Sequence, residues 1–148
     1  MDGNANDIEA LNELVGSCLD SEQGYKSAIE HTNNGALKSM FNMRAVERRA
    51  IVDELQQLVR DRGGEPEDEG SLYARFHRTF MDFKSKVMDR DEAVIEEIER
   101  GEDRTKEKFE WALREVRLSS AIREAVERHY IEIKAAHDQV SALKHSAE

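Results

Sequence analysis

Two carboxylates fall where apolar side chains are expected. Ile8, Leu11, Val15, Cys18, Glu22, Tyr25 and Ile29 recur at helical spacing, and so do Ile95, Ile98, Glu102, Thr105, Phe109, Ala112 and Val116. Glu22 and Glu102 therefore sit on faces that a helical bundle turns inward. Such carboxylates hold metal ions between helices, meet buried cations as ion pairs, or bend away to solvent. A carboxylate buried alone is costly and titrates to its neutral form.

A di-iron bundle takes a lone Glu from each of two helices and a Glu-x-x-His pair from each of the other two. Glu22 and Glu102 fit the lone positions. The second segment offers Glu47-Arg48-Arg49-Ala50, so the His is missing. The last offers Lys134-Ala135-Ala136-His137, so the Glu is missing. Glu132, five residues before His137, lies about 140° away round the helix. The metal candidates are thus Glu22, Glu47, Glu102 and His137, with His129 and Glu132 as alternates. Iron or manganese suits that donor set. Arg44 and Arg48 fall among Phe41, Ile51 and Leu55, and offer the other solution, a charge-assisted Arg–Glu pair without metal. The expectation is that Arg44 or Arg48 meets Glu22 or Glu102, and that no bound cofactor is needed. No catalytic residue is assigned, because no Gly-rich phosphate loop and no nucleophile motif appears.

Four helices must position these groups. The periodicity predicts them over about 7–31, 36–62, 91–117 and 120–144. Asn6 and Glu9 form a capping box for the first. The run His31-Thr32-Asn33-Asn34-Gly35 separates it from the second. Gly63-Gly64 ends the second, ahead of the acidic stretch 65–70. Asp89 and Glu92 make a second capping pair. Ser119-Ser120 caps the last helix, which is expected to fray from His145. Leu72, Phe76, Phe80, Phe83 and Val87 predict a helix over 71–87. At 1.5 Å per residue it spans roughly 25 Å, enough to carry the chain along a bundle. The fold class is therefore all-α, a single domain of two antiparallel hairpins joined by a helical crossover. In that arrangement the second and third bundle helices run parallel.

Composition limits the function classes. The chain has 148 residues, 39% hydrophobic and 36% charged, with one proline and a net charge of −10. Acidity of that size without a basic block argues against nucleic acid. No apolar run approaches the ~20 residues that span a bilayer. The opening residues, MDGNANDIEA, have neither a basic nor an apolar leader region, so a cytoplasmic protein is expected. Cys18 is the single cysteine; it lies on the apolar stripe and reads as an inert packed thiol. Trp111 lies opposite the stripe of its helix, either as part of an interface or packed beneath the crossover.

The segments Asp20-Ser21-Glu22-Gln23-Gly24-Tyr25, Gly63-Gly64-Glu65-Pro66, Glu99-Arg100-Gly101-Glu102-Asp103 and Lys134-Ala135-Ala136-His137-Asp138 resemble those of a bacterial family of uncharacterised ferritin-like four-helix-bundle proteins. The resemblance runs from about Ile8 to Leu143. It implies the ferritin-like fold and no activity, since that family is a domain of unknown function. The resemblance favours His137 as a functional histidine, whereas periodicity favours His129. Two functions stay open. One is a non-catalytic binding or accessory protein, self-associating or with a protein partner. The other is an iron or manganese oxidoreductase or storage-like protein with a degenerate carboxylate–His site.

Overall fold

A computed structural model describes residues 2–70 and 90–147. Four helices make up the described residues: α1 (Asp2–His31), α2 (Gly35–Asp61), α3 (Arg90–Glu115) and α4 (Ser120–Ala147). The expected crossover helix, 71–87, and the Asp89 cap lie outside the described residues.

Local chemistry sets the helix ends. Asn34 caps α2 by accepting from the Leu37 amide at 3.1 Å. At the other end Gly63 turns left-handed at φ +79. The Gly63 amide then donates to the Arg60 carbonyl and the Gly64 amide to the Val59 carbonyl. That is a Schellman closure, and it satisfies two carbonyls the helix leaves open. Gly64 matters for a different reason. A Cβ there would stand 2.9 Å from Ile8 Cγ2 and 3.0 Å from Val59 Cγ1. The glycine pair thus ends α2 and lets the chain pass tightly over the start of α1.

Three boundaries differ from the sequence expectation. α1 begins at Asp2, one turn before the Asn6 capping box. The extra turn is used: Asn4 donates to the Arg62 carbonyl at 3.1 Å. Just beyond it, buried Asp7 accepts from the Ser119 amide at 2.9 Å and faces Arg62. α3 stops at Glu115, two residues early. α4 runs on to Ala147 rather than fraying from His145, and Lys144 in its last turns meets Glu99 at 2.9 Å.

Pairings along the helices give their directions. α1 meets α3 through Glu13–Lys108 and Tyr25–Glu102, flanked by Asp7–Ser119 and Thr32–Asp91 just past the helix ends, so the two are antiparallel. α2 is antiparallel to α1 through the turn at 32–34. α4 is antiparallel to α2, since Arg44 meets Gln139 and Glu54 meets Arg128. Hence α2 and α3 run in the same direction, diagonal to each other. This is the direction two hairpins take when the connection between them travels the length of the bundle.

Among the described residues the interior has two apolar clusters. One contains Leu11, Leu14, Val15, Leu55, Val59, Phe109, Ile122 and Val126. The other contains Tyr25, Leu37, Phe41, Val94, Ile95, Ile98 and Val140. Between them lies a layer of buried polar groups: Ser21, Glu22, Arg48, Glu102 and Thr105.

The two glycines should respond differently to substitution. Gly63→Ala places a Cβ in left-handed backbone and should cost about 1 kcal/mol. The Gly64→Ala Cβ also stands 3.1 Å from Ile8 Cδ1, so Ile8→Val, which removes that atom, should partly restore it, whereas Gly63→Ala should gain nothing from Ile8→Val. Urea unfolding of the four variants checks this.

Candidate functional site

The polar layer is built by adjacent turns of three helices. Glu102 follows Ile95 and Ile98 on the inward face of α3 and is 1% exposed. Its Oε1 accepts from Tyr25 Oη at 2.8 Å, Ser21 Oγ at 3.3 Å and Arg48 Nη2 at 3.0 Å. Its Oε2 accepts from the same Nη2 at 2.7 Å. Arg48 is 2% exposed and reaches Glu102 from α2, across the diagonal of the bundle. The guanidinium also lies 5.8 Å from the Tyr25 ring centre, within cation–π range. One Nη2 thus serves both carboxylate oxygens, while buried Nη1 has no protein partner.

Charge and burial oppose each other here. Burial works against the Arg48 cation, but Glu102 together with Tyr25 and Cys18 outweighs it, so the arginine's pKa lies above its usual value. Burial, reinforced by Glu102, drives Tyr25 well above the ordinary phenol range, so it stays a hydroxyl donor. Cys18 is pushed up to about 12, chiefly by burial. A thiol held that firmly in its neutral form is no nucleophile at neutral pH.

Glu22 is buried on the flank of the same layer. Arg49 grips it as a fork, Nε to Oε2 at 3.0 Å and Nη2 to Oε1 at 2.6 Å, and Lys26 adds a contact at 3.4 Å. Arg49 was not among the sequence candidates. It stands one residue beyond Arg48, about 100° round the helix, which turns it from the core to the α1 seam. An arginine beside an inward one, opposite a buried Glu, was the signal available.

The remaining candidates are dispersed. Arg44 meets neither Glu22 nor Glu102. It bonds Gln139 of α4 at 2.5 and 3.1 Å and Glu47 at 2.7 Å, because its angle on α2 points at the α4 seam. Glu47 is thus a half-exposed partner of the mostly buried Arg44, away from Glu102. His137 bridges α4 to α3, with Nε2 2.6 Å from Asp103 Oδ1 and Nδ1 3.1 Å from Asp138 Oδ1. His129 is 4% exposed, with Nε2 2.7 Å from Glu54 Oε2 and Nδ1 3.8 Å from Glu132 Oε2. Neither oxygen lies in line for a hydrogen bond to the ring. Glu54 is also held by Arg128 at 3.0 and 3.3 Å.

Among the described residues the donor set is not gathered as an iron or manganese site requires. Among the described residues no three His, Cys, Asp or Glu side chains are grouped to hold a metal ion. Glu102 and Glu22 have their oxygens engaged by arginines, His137 is engaged by aspartates, and Glu132 lies across the ring of His129 from Glu54. Trp111 is partly buried against the first apolar cluster, with Lys108 5.4 Å from its ring centre. A cavity of about 810 Å³ opens between α1 and α3, with Tyr25 and Glu102 among its walls.

Fold and site together define an all-helical four-helix bundle with an internally neutralised charged layer. The chain belongs to the family described as Domain of unknown function (DUF2383), whose model matches residues 6–115. That span covers α1, α2 and α3 and stops before α4. No curated protein matches the chain.

Arg48→Met should lose roughly 3–5 kcal/mol of stability, since it strands Glu102 in the interior. Arg44→Met should lose only about 1 kcal/mol, because its partners Gln139 and Glu47 still reach water without it. Arg48→Met with Glu102→Met should recover most of the loss, because burying neither charge is cheaper than burying one. Chemical denaturation measures all three; equal losses for the two single variants would place Arg48 outside the core.

Proposed function

We propose that this is a ferritin-like, non-catalytic bundle with a cytoplasmic binding or accessory role, in which arginines take the part that metal ions take in di-iron bundles. One observation carries the reading: both oxygens of Glu102 are already satisfied by Arg48, Tyr25 and Ser21. A metal at Glu102 would have to displace a buried guanidinium and leave that charge unpaired. Beside the layer, Cys18 and Tyr25 are both held neutral by burial, so neither is an activated nucleophile or base at neutral pH.

A protein partner or a second copy of the chain is the ligand class we favour. Met43 and Val46 on α2 and Ile131 on α4 are large apolar side chains exposed to water. The net charge of −10 argues against nucleic acid. No described helix is long and apolar enough to cross a membrane.

The second reading, an iron or manganese protein with a reduced site, draws on His129. Its buried ring nitrogens lack in-line hydrogen bonds and stand beside Glu54 and Glu132. Arg128 on Glu54 weighs against it, because a second cation there meets charge repulsion.

Elemental analysis separates the two. Protein purified without tag or chelator should contain iron and manganese far below one ion per chain, and Glu102→Gln should leave the metal content unchanged. Stoichiometric metal that is lost in Glu22→Ala or Glu102→Gln would overturn the non-metal reading.

A further inference from the structure

α2 carries an ordered pattern on the side it turns away from the bundle. Leu37, Phe41, Arg48 and Leu55 face the core. About half a turn round the helix lie Ala36, Ser39, Met43, Val46 and Ala50, all exposed. Met43 is 49% and Val46 63% open to water. These positions are spaced 3, 4, 3 and 4 apart, which is the a and d spacing of a two-stranded coiled coil.

The polar residues beside the stripe sort by edge. With Ala36, Met43 and Ala50 at a positions, Asn42 and Arg49 fall at g, and Glu47 and Glu54 fall at e. One edge donates hydrogen bonds and the other accepts them. In a parallel pair of identical helices each g residue meets the next e residue of the other copy. Asn42 with Glu47 and Arg49 with Glu54 both have that separation. An antiparallel pair would instead set the glutamate edges against each other. The stripe is therefore complementary to itself in one orientation.

We propose that this stripe is a self-association face: it takes a second copy of this chain, α2 against α2 in parallel about a twofold axis, as a transient dimer. The proposal rests on the reading of a non-catalytic protein whose ligand is a protein chain, and it makes that ligand the chain itself.

Electrostatics limit where two copies can meet. A net charge of −10 makes them repel, so the contact needs a place where the signs balance. Each acid bordering the stripe has an arginine of its own. Glu47 has Arg44 at 2.7 Å, Asp53 has Arg49 at 3.8 Å, and Glu54 has Arg128 at 3.0 Å. Arg49 holds Glu22 through Nε and Nη2. Its Nη1 is turned to the surface beside Asp53, placed to reach Glu54 of the other copy. Across the twofold axis Met43 meets Met43 and Val46 meets Val46, which takes both from water. Asp53, the next residue on the stripe, meets its own copy, and that repulsion ends the seam after two heptads. So short a contact belongs to the weak, concentration-dependent class of interface.

Sedimentation equilibrium of the full chain across the micromolar to millimolar range tests the proposal. The mass should rise from 17.0 kDa toward twice that value. Val46→Glu should weaken association at least about tenfold, since it puts a charge inside the seam. Asp53→Ala should strengthen it about fivefold by removing the facing charges. Both residues are exposed in the single chain, so its fold is not at stake. Mild oxidation reads the orientation. Ala50→Cys should cross-link to its own copy, because the two residues face each other in a parallel pair; in an antiparallel pair centred between Met43 and Val46, Ala50 lies opposite Ser39. Ala135→Cys, at an exposed position on α4, is the control, and the buried Cys18 thiol, with its pKa pushed up to about 12, does not compete. A chain that stays monomeric at every concentration, a Val46→Glu variant that dimerises as readily as the parent, or Ala50→Cys cross-linking no faster than Ala135→Cys overturns the proposal. Those results leave the non-catalytic reading untouched, since it stands or falls on metal content.

Discussion

The structure depends on one buried ion pair across the diagonal of the bundle. Helices that pack side by side interlock through apolar ridges, and those contacts tolerate slippage. α2 and α3 lie on opposite corners, where such ridges do not meet. Arg48 and Glu102 join them nevertheless, and Tyr25 and Ser21 of α1 complete the shell around the carboxylate. A buried charge accepts no approximate partner, because a misplaced one leaves it unpaired. Apolar cores alone would allow several registers of three amphipathic helices; this layer selects one. Polar groups that specify register while adding little net stability have a precedent in coiled coils.

The layer also divides the core. The apolar cluster near the α2 terminus and the α3–α4 corner is closed by Asp7, which binds the Ser119 amide and faces Arg62. The opposite cluster is closed near Thr32, which bonds Asp91. α1 takes part in the layer and in both closures. It is the helix against which α2 and α3 are aligned, and its buried polar residues Asp7, Ser21 and Glu22, with Thr32 just past its end, mark successive levels along it.

Much of the architecture was legible in the chain. Apolar residues at helical spacing marked four bundle helices, and Gly63-Gly64 and Asn34-Gly35 marked where α2 starts and stops. The boundaries that moved did so because distant groups held the ends: Asn4 and Asp7 found partners 58 and 112 residues away, beyond any local signal. The inward carboxylates were legible too, since charge on an apolar stripe stands out. Their partners were less so. Arg44, Arg48 and Arg49 sit within six residues, and which one reaches Glu22 or Glu102 depends on how far α2 is rotated. Four residues, about 40° of turn, took Arg44 to Gln139 and left Arg48 in the core. Periodicity reports the face a residue occupies. The neighbour across from it is a property of the assembled bundle.

The parallel course of α1 and α4 has a consequence for handling the protein. The start of α1 lies at the Asp7–Ser119 end of the bundle, and α4 finishes beside Glu99, near the other end. α1 is 30 residues long, about 45 Å of helix. A loop joining the end of α4 back to the start of α1 would therefore have to run the length of the bundle, at least about 13 extended residues. A segment added beyond α4 instead leaves from the end of the bundle opposite the start of α1, and so lengthens the rod.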